Sequence, residues 1–354
     1  MYRLSDKAMS LTPYDPSEGI YRIRMDANES FLLPTDQDRE KMARAAADIA
    51  LNRYPDPLAR EVCDSFARAY GIRPDLVTAG NGSDELISII LSVFLQKGEK
   101  VLTLSPDFSM YRFYAAIAET PCITLEKDEH LRISVDRVLD TLEQEHIRLL
   151  IFSNPCNPTS IGLGREEVRR ILSNTDALVV LDEAYMDFWD QSLLDEVENY
   201  DNLLILRTCS KVLGMAALRL GFAVANPRLT GILRAAKSPY NVNAVTQAMA
   251  NIVLANPVYK SVYRELLLES RDELLNSLRK LEADGLLDRV YESCTNFVYV
   301  RLKDAKRLYG LLCDRGILVR RFGDQHLRIT AATQAENEEL AAVIRFLQMH
   351  QEIV

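Results

Sequence analysis

Short apolar runs alternate with amphipathic segments through the first two thirds of the chain. Val101–Leu104, Leu149–Phe152, Leu178–Leu181, Leu203–Leu206 and Phe222–Ala225 are each four residues long, and several follow a stretch with helical spacing. That alternation predicts an α/β domain with a largely parallel sheet. The clearest helix follows Gly82: Leu86, Ile89, Ile90, Val93 and Phe94 recur at helical spacing, with Ser83 as the expected N-cap, Asp84 and Glu85 in the first turn and Gly98 as the expected end. Past about residue 245 the pattern changes to long helices, one over Val258–Leu281, followed by strand-like Phe297–Val300, Ile317–Arg320 and Leu327–Thr330 and a closing helix. These predict a second, smaller α+β domain. No Gly/Ser linker, low-complexity tract or internal repeat interrupts the pattern.

The 354 residues are 48% hydrophobic and 26% charged, a globular composition with enough apolar material for a substantial core. No apolar run reaches the ~18–20 residues of a membrane span. The polar start MYRLSDKAMS lacks the apolar stretch of a signal peptide, so a cytoplasmic protein with no membrane partner is expected. A net charge of -9 and the lack of a Lys/Arg run argue against a nucleic-acid partner. A few arginines in a cleft can still bind a small anion. The six cysteines show no close pairing, which suggests neither a disulfide framework nor a zinc site, and the scattered His130, His146, His326 and His350 suggest no metal cluster.

In open α/β sheets ligands bind beyond the carboxyl ends of the strands. Leu149–Phe152 runs into Ser-Asn154-Pro-Cys-Asn157-Pro-Thr, Leu178–Leu181 into Asp182-Glu-Ala-Tyr185, and Leu203–Leu206 into Arg-Thr208-Cys-Ser210-Lys211. Val101–Leu104 is followed by Ser-Pro106-Asp-Phe108-Ser-Met-Tyr111. Singly, each fragment has an ordinary reading as a turn, a helix cap or a solvated lysine. Their order, with Arg219 eight residues beyond Lys211, is a constellation that chance seldom assembles.

NPCNPTS, DEAY, TCSKVLGMAALRLGF and the upstream GNGSDE resemble the fold-type-I, class-II aminotransferases over almost the whole chain. Within that group MDANES (25–30), RYPDP (53–57), KSPYNVN (237–243) and ILVRRF…LRIT (317–330) are similar to the histidinol-phosphate aminotransferase family. The resemblance implies pyridoxal 5'-phosphate (PLP) as cofactor. It also implies an N-terminal arm over 1–30, a large PLP-binding α/β domain with a mostly parallel seven-stranded sheet over 31–245, and a small α+β domain over 246–354. Lys211 would hold PLP as a Schiff base and later act as the base that moves the substrate proton. Asp182 would keep the pyridine nitrogen protonated, and Asn157 and Tyr185 would donate to the phenolic oxygen. Tyr111 would stack on the ring, with Phe108 packing nearby. The phosphate would take the backbone of Gly82, Ser83, Asp84 and Glu85 at a helix start, helped by Thr208, Ser210 and Arg219. Tyr54 would reach the cofactor of a neighbouring subunit, making the unit a homodimer.

For substrate, the same resemblance offers Arg328 and Arg320, with Tyr14, Asn28 and Asn243 as polar helpers and Arg321 as an ambiguous third arginine. Arginine suits a site that must accept both a phosphate ester and a carboxylate. Two positions depart from the family pattern: Ser160 and Ala217 stand where glycine is usual. The leading expectation is amino transfer from L-histidinol phosphate to 2-oxoglutarate, a step of histidine biosynthesis. An aromatic amino-acid aminotransferase and a threonine-phosphate decarboxylase stay open as alternatives. A non-catalytic binder on the same fold ranks last, because Lys211 and Asp182 are both present.

Overall fold

Each of the five apolar runs in the first part of the chain becomes a strand of one sheet. In the computed structural model, which describes residues 2–11 and 19–350, the strands are β1 (Ile23–Met25), β2 (Val77–Gly80), β3 (Lys100–Ser105), β4 (Cys122–Glu126), β5 (Ile147–Ser153), β6 (Leu178–Asp182), β7 (Leu203–Thr208), β8 (Gly221–Ala225), β9 (Arg289–Val290), β10 (Phe297–Arg301), β11 (Ile317–Phe322) and β12 (His326–Thr330). The larger sheet has seven strands in the order β2-β8-β7-β6-β5-β3-β4. Only β8 runs against its neighbours; the other pairs are parallel.

Continuous rather than alternating apolar runs follow from burial on both faces. Along β6 and β7, Val179, Leu181, Leu203 and Ile205 enter one apolar core, whereas Val180, Leu204 and Leu206 enter a second on the opposite face. The period of two along each strand thus divides one sequence run between two layers. Phe222 of β8 joins the first core fully buried, its ring 4.1 Å from that of Phe66. Truncating such a side chain costs about 3–5 kcal/mol.

The smaller sheet has five strands in the order β1-β11-β12-β10-β9, with β1 parallel to β11 and the remaining pairs antiparallel. A third core fills one side of it. The long helix Val262–Ala283 joins the two parts: Leu267 packs into the first core of the large sheet, while Leu274, Leu278 and Leu281 pack into that of the small one. This helix starts four residues later than the Val258 its periodicity suggests, because Pro257–Tyr259 forms a separate 3-10 turn. Among the described residues no helix is long and apolar enough to cross a membrane.

Two boundaries of the helix after β2 also differ from expectation. It spans Gly82–Val93 with Asn81, not Ser83, at the N-cap, and it ends before Gly98, which at φ 88 makes the turn into β3. Ser160 keeps the left-handed backbone that a glycine would supply, at φ 62. Its hydroxyl lies 2.7 Å from Thr295 Oγ1 and 2.9 Å from Ser293 Oγ, and these bonds offset the backbone strain.

Candidate active site

Parallel strands finish on one edge, so the segments after β5, β6 and β7 meet there. Ser153 and Asp182, the last residues of β5 and β6, are register partners. These ends, the first turn of helix Gly82–Val93 and parts of β11 and β12 line a cleft of ≈ 650 Å³.

Lys211 follows β7 and projects into the cleft, where Nζ donates to Ala27 O at 3.0 Å and lies 5.5 Å from the centre of the Tyr185 ring. The Tyr185 hydroxyl accepts from Asn28 Nδ2 at 2.8 Å. Asn28 is itself fixed by Thr330, whose Oγ1 accepts from the Asn28 N–H (3.0 Å) and donates to Oδ1 (2.9 Å). Its φ of 54 suits asparagine, which tolerates the left-handed region. Residues just after β1 therefore tie the small sheet to the cofactor end of the large one.

Asp182 is nearly fully buried and takes its hydrogen bonds from neutral donors, Tyr111 Oη at 2.8 Å and Ala184 N at 3.1 Å. Burial pushes its carboxyl up to about 7. The next residue, Glu183, turns to the other face and pairs with buried Arg207 at 2.9 Å, which locks β6 to β7 behind the site. Burial also raises Asp84 and Asp107, which stand in the same cleft.

The first turn of helix Gly82–Val93 carries no side-chain cap, so its N–H groups remain for a ligand. Gly82 has φ 82, and a Cβ there would stand 2.8 Å from the Arg219 guanidinium. Arg219 lies 3.5 Å from Asp84, and the Thr208 and Ser210 hydroxyls meet at 3.0 Å beside it in the cleft wall.

Across the cleft, Arg320 of β11 and Arg328 of β12 are antiparallel register partners, so both side chains leave the same face of the small sheet, and both line the cleft. Like charges placed so repel, and an anion between them removes the repulsion. Arg328 donates to Asn157 Oδ1 and Asp26 O, and its guanidinium lies 5.4 Å from the Phe297 ring and 5.6 Å from that of Phe322. These contacts fix the fork before a substrate arrives. Arg321 leaves the other face and binds Gly323 O and Asp324 instead.

Of the residues expected from the sequence, Ser83, Asp84, Asn157, Asp182, Tyr185, Thr208, Ser210, Lys211, Arg219, Asn28, Arg320 and Arg328 come together in this cleft. Three others do not. Tyr111 is 1% exposed and packs in the second core, where its hydroxyl serves Asp182 from behind; the aromatic ring in the cleft wall is Phe108, edge-on to Tyr111 at 5.6 Å. Asn243 caps the helix Ala244–Ala255 by accepting from Thr246 N at 2.8 Å. Tyr54 is 81% exposed outside the cleft and stacks on Tyr240 at 4.5 Å. Tyr14 lies outside the described residues. The sequence reading passed over Asp26, Asp107 and Phe322, which also line the cleft. Asp107 follows the β3 run, so the strand-end rule could have found it.

Three features suit the PLP that the sequence implies. The uncapped helix start facing Arg219 forms a phosphate cradle that a Cβ at position 82 would obstruct. Asp182 is a desolvated carboxylate whose neutral donors leave it in want of a cation such as a pyridinium. Lys211 presents its amine in the same cleft.

The family model described as aminotransferase class I and II matches residues 22–344. The chain is 38% identical to the histidinol-phosphate aminotransferase of Clostridium kluyveri over 330 residues, covering 92% of this chain and 93% of the relative. It is likewise 38% identical to that of Clostridium novyi over 337 residues, 94% of each. Among solved structures, the histidinol-phosphate aminotransferase from Sinorhizobium meliloti in complex with pyridoxal-5'-phosphate superimposes with a TM-score of 0.87 at 24% identity, over 98% of this chain and 99% of the other. The L-threonine-O-3-phosphate decarboxylase from Porphyromonas gingivalis shares the fold at a TM-score of 0.79 and 20% identity, over 92% and 99%.

Proposed function

We propose that this chain, which belongs to the class I and II aminotransferase family, uses PLP on Lys211 to move the amino group of L-histidinol phosphate to 2-oxoglutarate. The observation that carries the substrate reading is the same-face pair Arg320 and Arg328 in the wall of the cleft that holds Lys211. Two guanidiniums match a phosphate ester in one half-reaction and a carboxylate in the other. Relatives at 38% identity that bear this activity support it.

Bound PLP supplies an electron-accepting ring and an aldehyde that carries the amino group from donor to acceptor. Lys211 would hold it through Nζ and would serve as the base for the proton on the donor's amine-bearing carbon. Asp182, with Tyr111 behind it, would keep a proton on the ring nitrogen. Tyr185 and Asn157 would donate to the phenolic oxygen, each steered by one further contact, Asn28 for the first and Arg328 for the second. The backbone N–H groups of Ser83 and Asp84, with Thr208, Ser210 and Arg219, would hold the cofactor phosphate, and Arg320 and Arg328 would hold the substrate anion.

Under this reading the unit is a homodimer. The exposed Tyr54–Tyr240 stack, outside its own chain's cleft, suits a tyrosine that serves a second copy. Six free thiols suit a cytoplasmic location. The small five-stranded sheet with its own core supports a separate C-terminal domain from about residue 246, and β1 supports an N-terminal arm attached to it.

The test is a single half-reaction. Cofactor-loaded protein mixed with L-histidinol phosphate alone should convert fully to the amine form of the cofactor and revert with 2-oxoglutarate. Conversion by an aromatic amino acid instead, or carbon dioxide release from threonine phosphate, would replace the proposed substrate.

A further inference from the structure

Behind the turn that carries Asn157, a half-buried lysine meets a buried cysteine in a pair that the reaction does not use. Lys127, just past β4, donates from Nζ to Pro106 O at 2.8 Å and to Cys156 Sγ at 2.9 Å. Cys156 is fully buried. Burial of the amine works against its charge, but Cys156 and Asp107 beside it raise its pKa above the ordinary lysine value. Cys156 donates to a carbonyl, that of Pro106 at 3.4 Å, as other thiols of the chain do, and differs in also accepting from a lysine. Cys63 and Cys294 donate to the carbonyls of Leu58 and Ser160, and burial pushes them up to about 11 and about 12. Sulfur is a weak acceptor, so a lysine held against it fills no strong hydrogen-bonding need. The arrangement does place a nucleophilic nitrogen within one atom's reach of an oxidisable sulfur.

We propose that Lys127 and Cys156 form an oxidative modification site in which one oxygen atom bridges the sulfur and the nitrogen. The co-reactant is dioxygen or a peroxide. Overall, the ammonium gives up one proton to solvent, and the thiol, the resulting neutral amine and one dioxygen give the S–O–N bridge and one water. The S–H bond and one N–H bond break and the S–O and O–N bonds form. Four electrons pass from sulfur and nitrogen to dioxygen, whose second atom leaves as the water. With peroxide, two molecules are consumed and three waters leave. Sulfur oxidation ordinarily proceeds to sulfenic acid and then onward. Here a second oxidising equivalent takes the adjacent nitrogen to the hydroxylamine level, and its oxygen closes on the sulfenic sulfur with loss of water; proximity of this kind replaces a bimolecular encounter. The bridge would remove the positive charge that Lys127 holds beside Asp107. Asp107 itself lines the cleft and accepts from Ser153, whose Oγ accepts from the Asn157 N–H at 3.0 Å, so the modified pair lies one contact from the cleft.

The test uses the cofactor-loaded protein, treated with hydrogen peroxide, alkylated, digested and mapped by mass spectrometry. The expected product is a linked pair of peptides containing residues 127 and 156, with one oxygen gained and two hydrogens lost. It should return to unlinked peptides with dithiothreitol and be missing from Lys127→Met and Cys156→Ala. An unmodified Cys156, an acid of sulfur on Cys156 without linkage, or a disulfide between Cys156 and Cys294 would each overturn the proposal. Should a variant fail to fold, the wild-type map alone decides.

Discussion

Replacing Asp182 with Asn should stabilise the cofactor-free protein above neutral pH while disabling the loaded enzyme. Asparagine keeps the geometry, because it can still accept from Ala184 N and face the Tyr111 hydroxyl. What changes is the buried charge. Burial raises the carboxyl from 3.8 to about 7, so the folded state favours its protonated form. A raised folded value means that stability present below pH ~4 is lost as the pH climbs through ~7. The full shift corresponds to roughly 4 kcal/mol at most. Water entering a cofactor-free cleft screens part of this, leaving about 1–2 kcal/mol. Thermal melts of the two cofactor-free proteins should therefore coincide near pH 4.5 and diverge by roughly 2–5 °C at pH 8, with the variant higher. In the loaded enzyme the carboxylate has a cation to stabilise, and its loss should lower kcat at least about a hundredfold. Parallel pH profiles for the two cofactor-free proteins would refute the claim that a desolvated carboxylate waits there for a cation.

Arg328→Met should leave cofactor affinity intact and lower kcat/KM for both substrates by roughly 30–150-fold, the ~2–3 kcal/mol of a lost charge-assisted fork. Arg321→Met, on the opposite face of the same sheet, should stay within about threefold, as an exposed pair does; steady-state kinetics on the two variants checks both. Gly82→Ala puts a Cβ 2.8 Å from the Arg219 guanidinium at a φ of 82. Equilibrium titration should show it binding PLP at least about tenfold more weakly, the ~1.4 kcal/mol of a disturbed cradle.

The cofactor half of the site was legible because it sits in short motifs directly after apolar runs, where strand ends and chemistry coincide. Lys211, Asp182 and Asn157 stand at or just past the ends of β7, β6 and β5, and the family resemblance of the motifs around them supplied their expected roles. Other features were hidden for definable reasons. The strand β1 has three residues, Val77–Gly80 is short and ends in two small residues, and Cys122–Glu126 is a half-buried edge strand, so none gives a strong periodic signal. Tyr111 and Asn243 carry the right chemistry but are claimed by neighbours, one by Asp182 and the core, the other by Thr246. The equivalence of Arg320 and Arg328 depends on the register of a hairpin, which spacing alone does not reveal.

The central claim is that the amine of Lys211 carries the cofactor at the meeting point of the two sheets. The most direct measurement is borohydride reduction of the cofactor-loaded protein followed by peptide mapping. The expected product is a pyridoxyl-phosphate mass on Lys211 in the peptide containing TCSK, lost in Lys211→Ala. A label on another lysine, or none on a protein that still turns over L-histidinol phosphate, would contradict it.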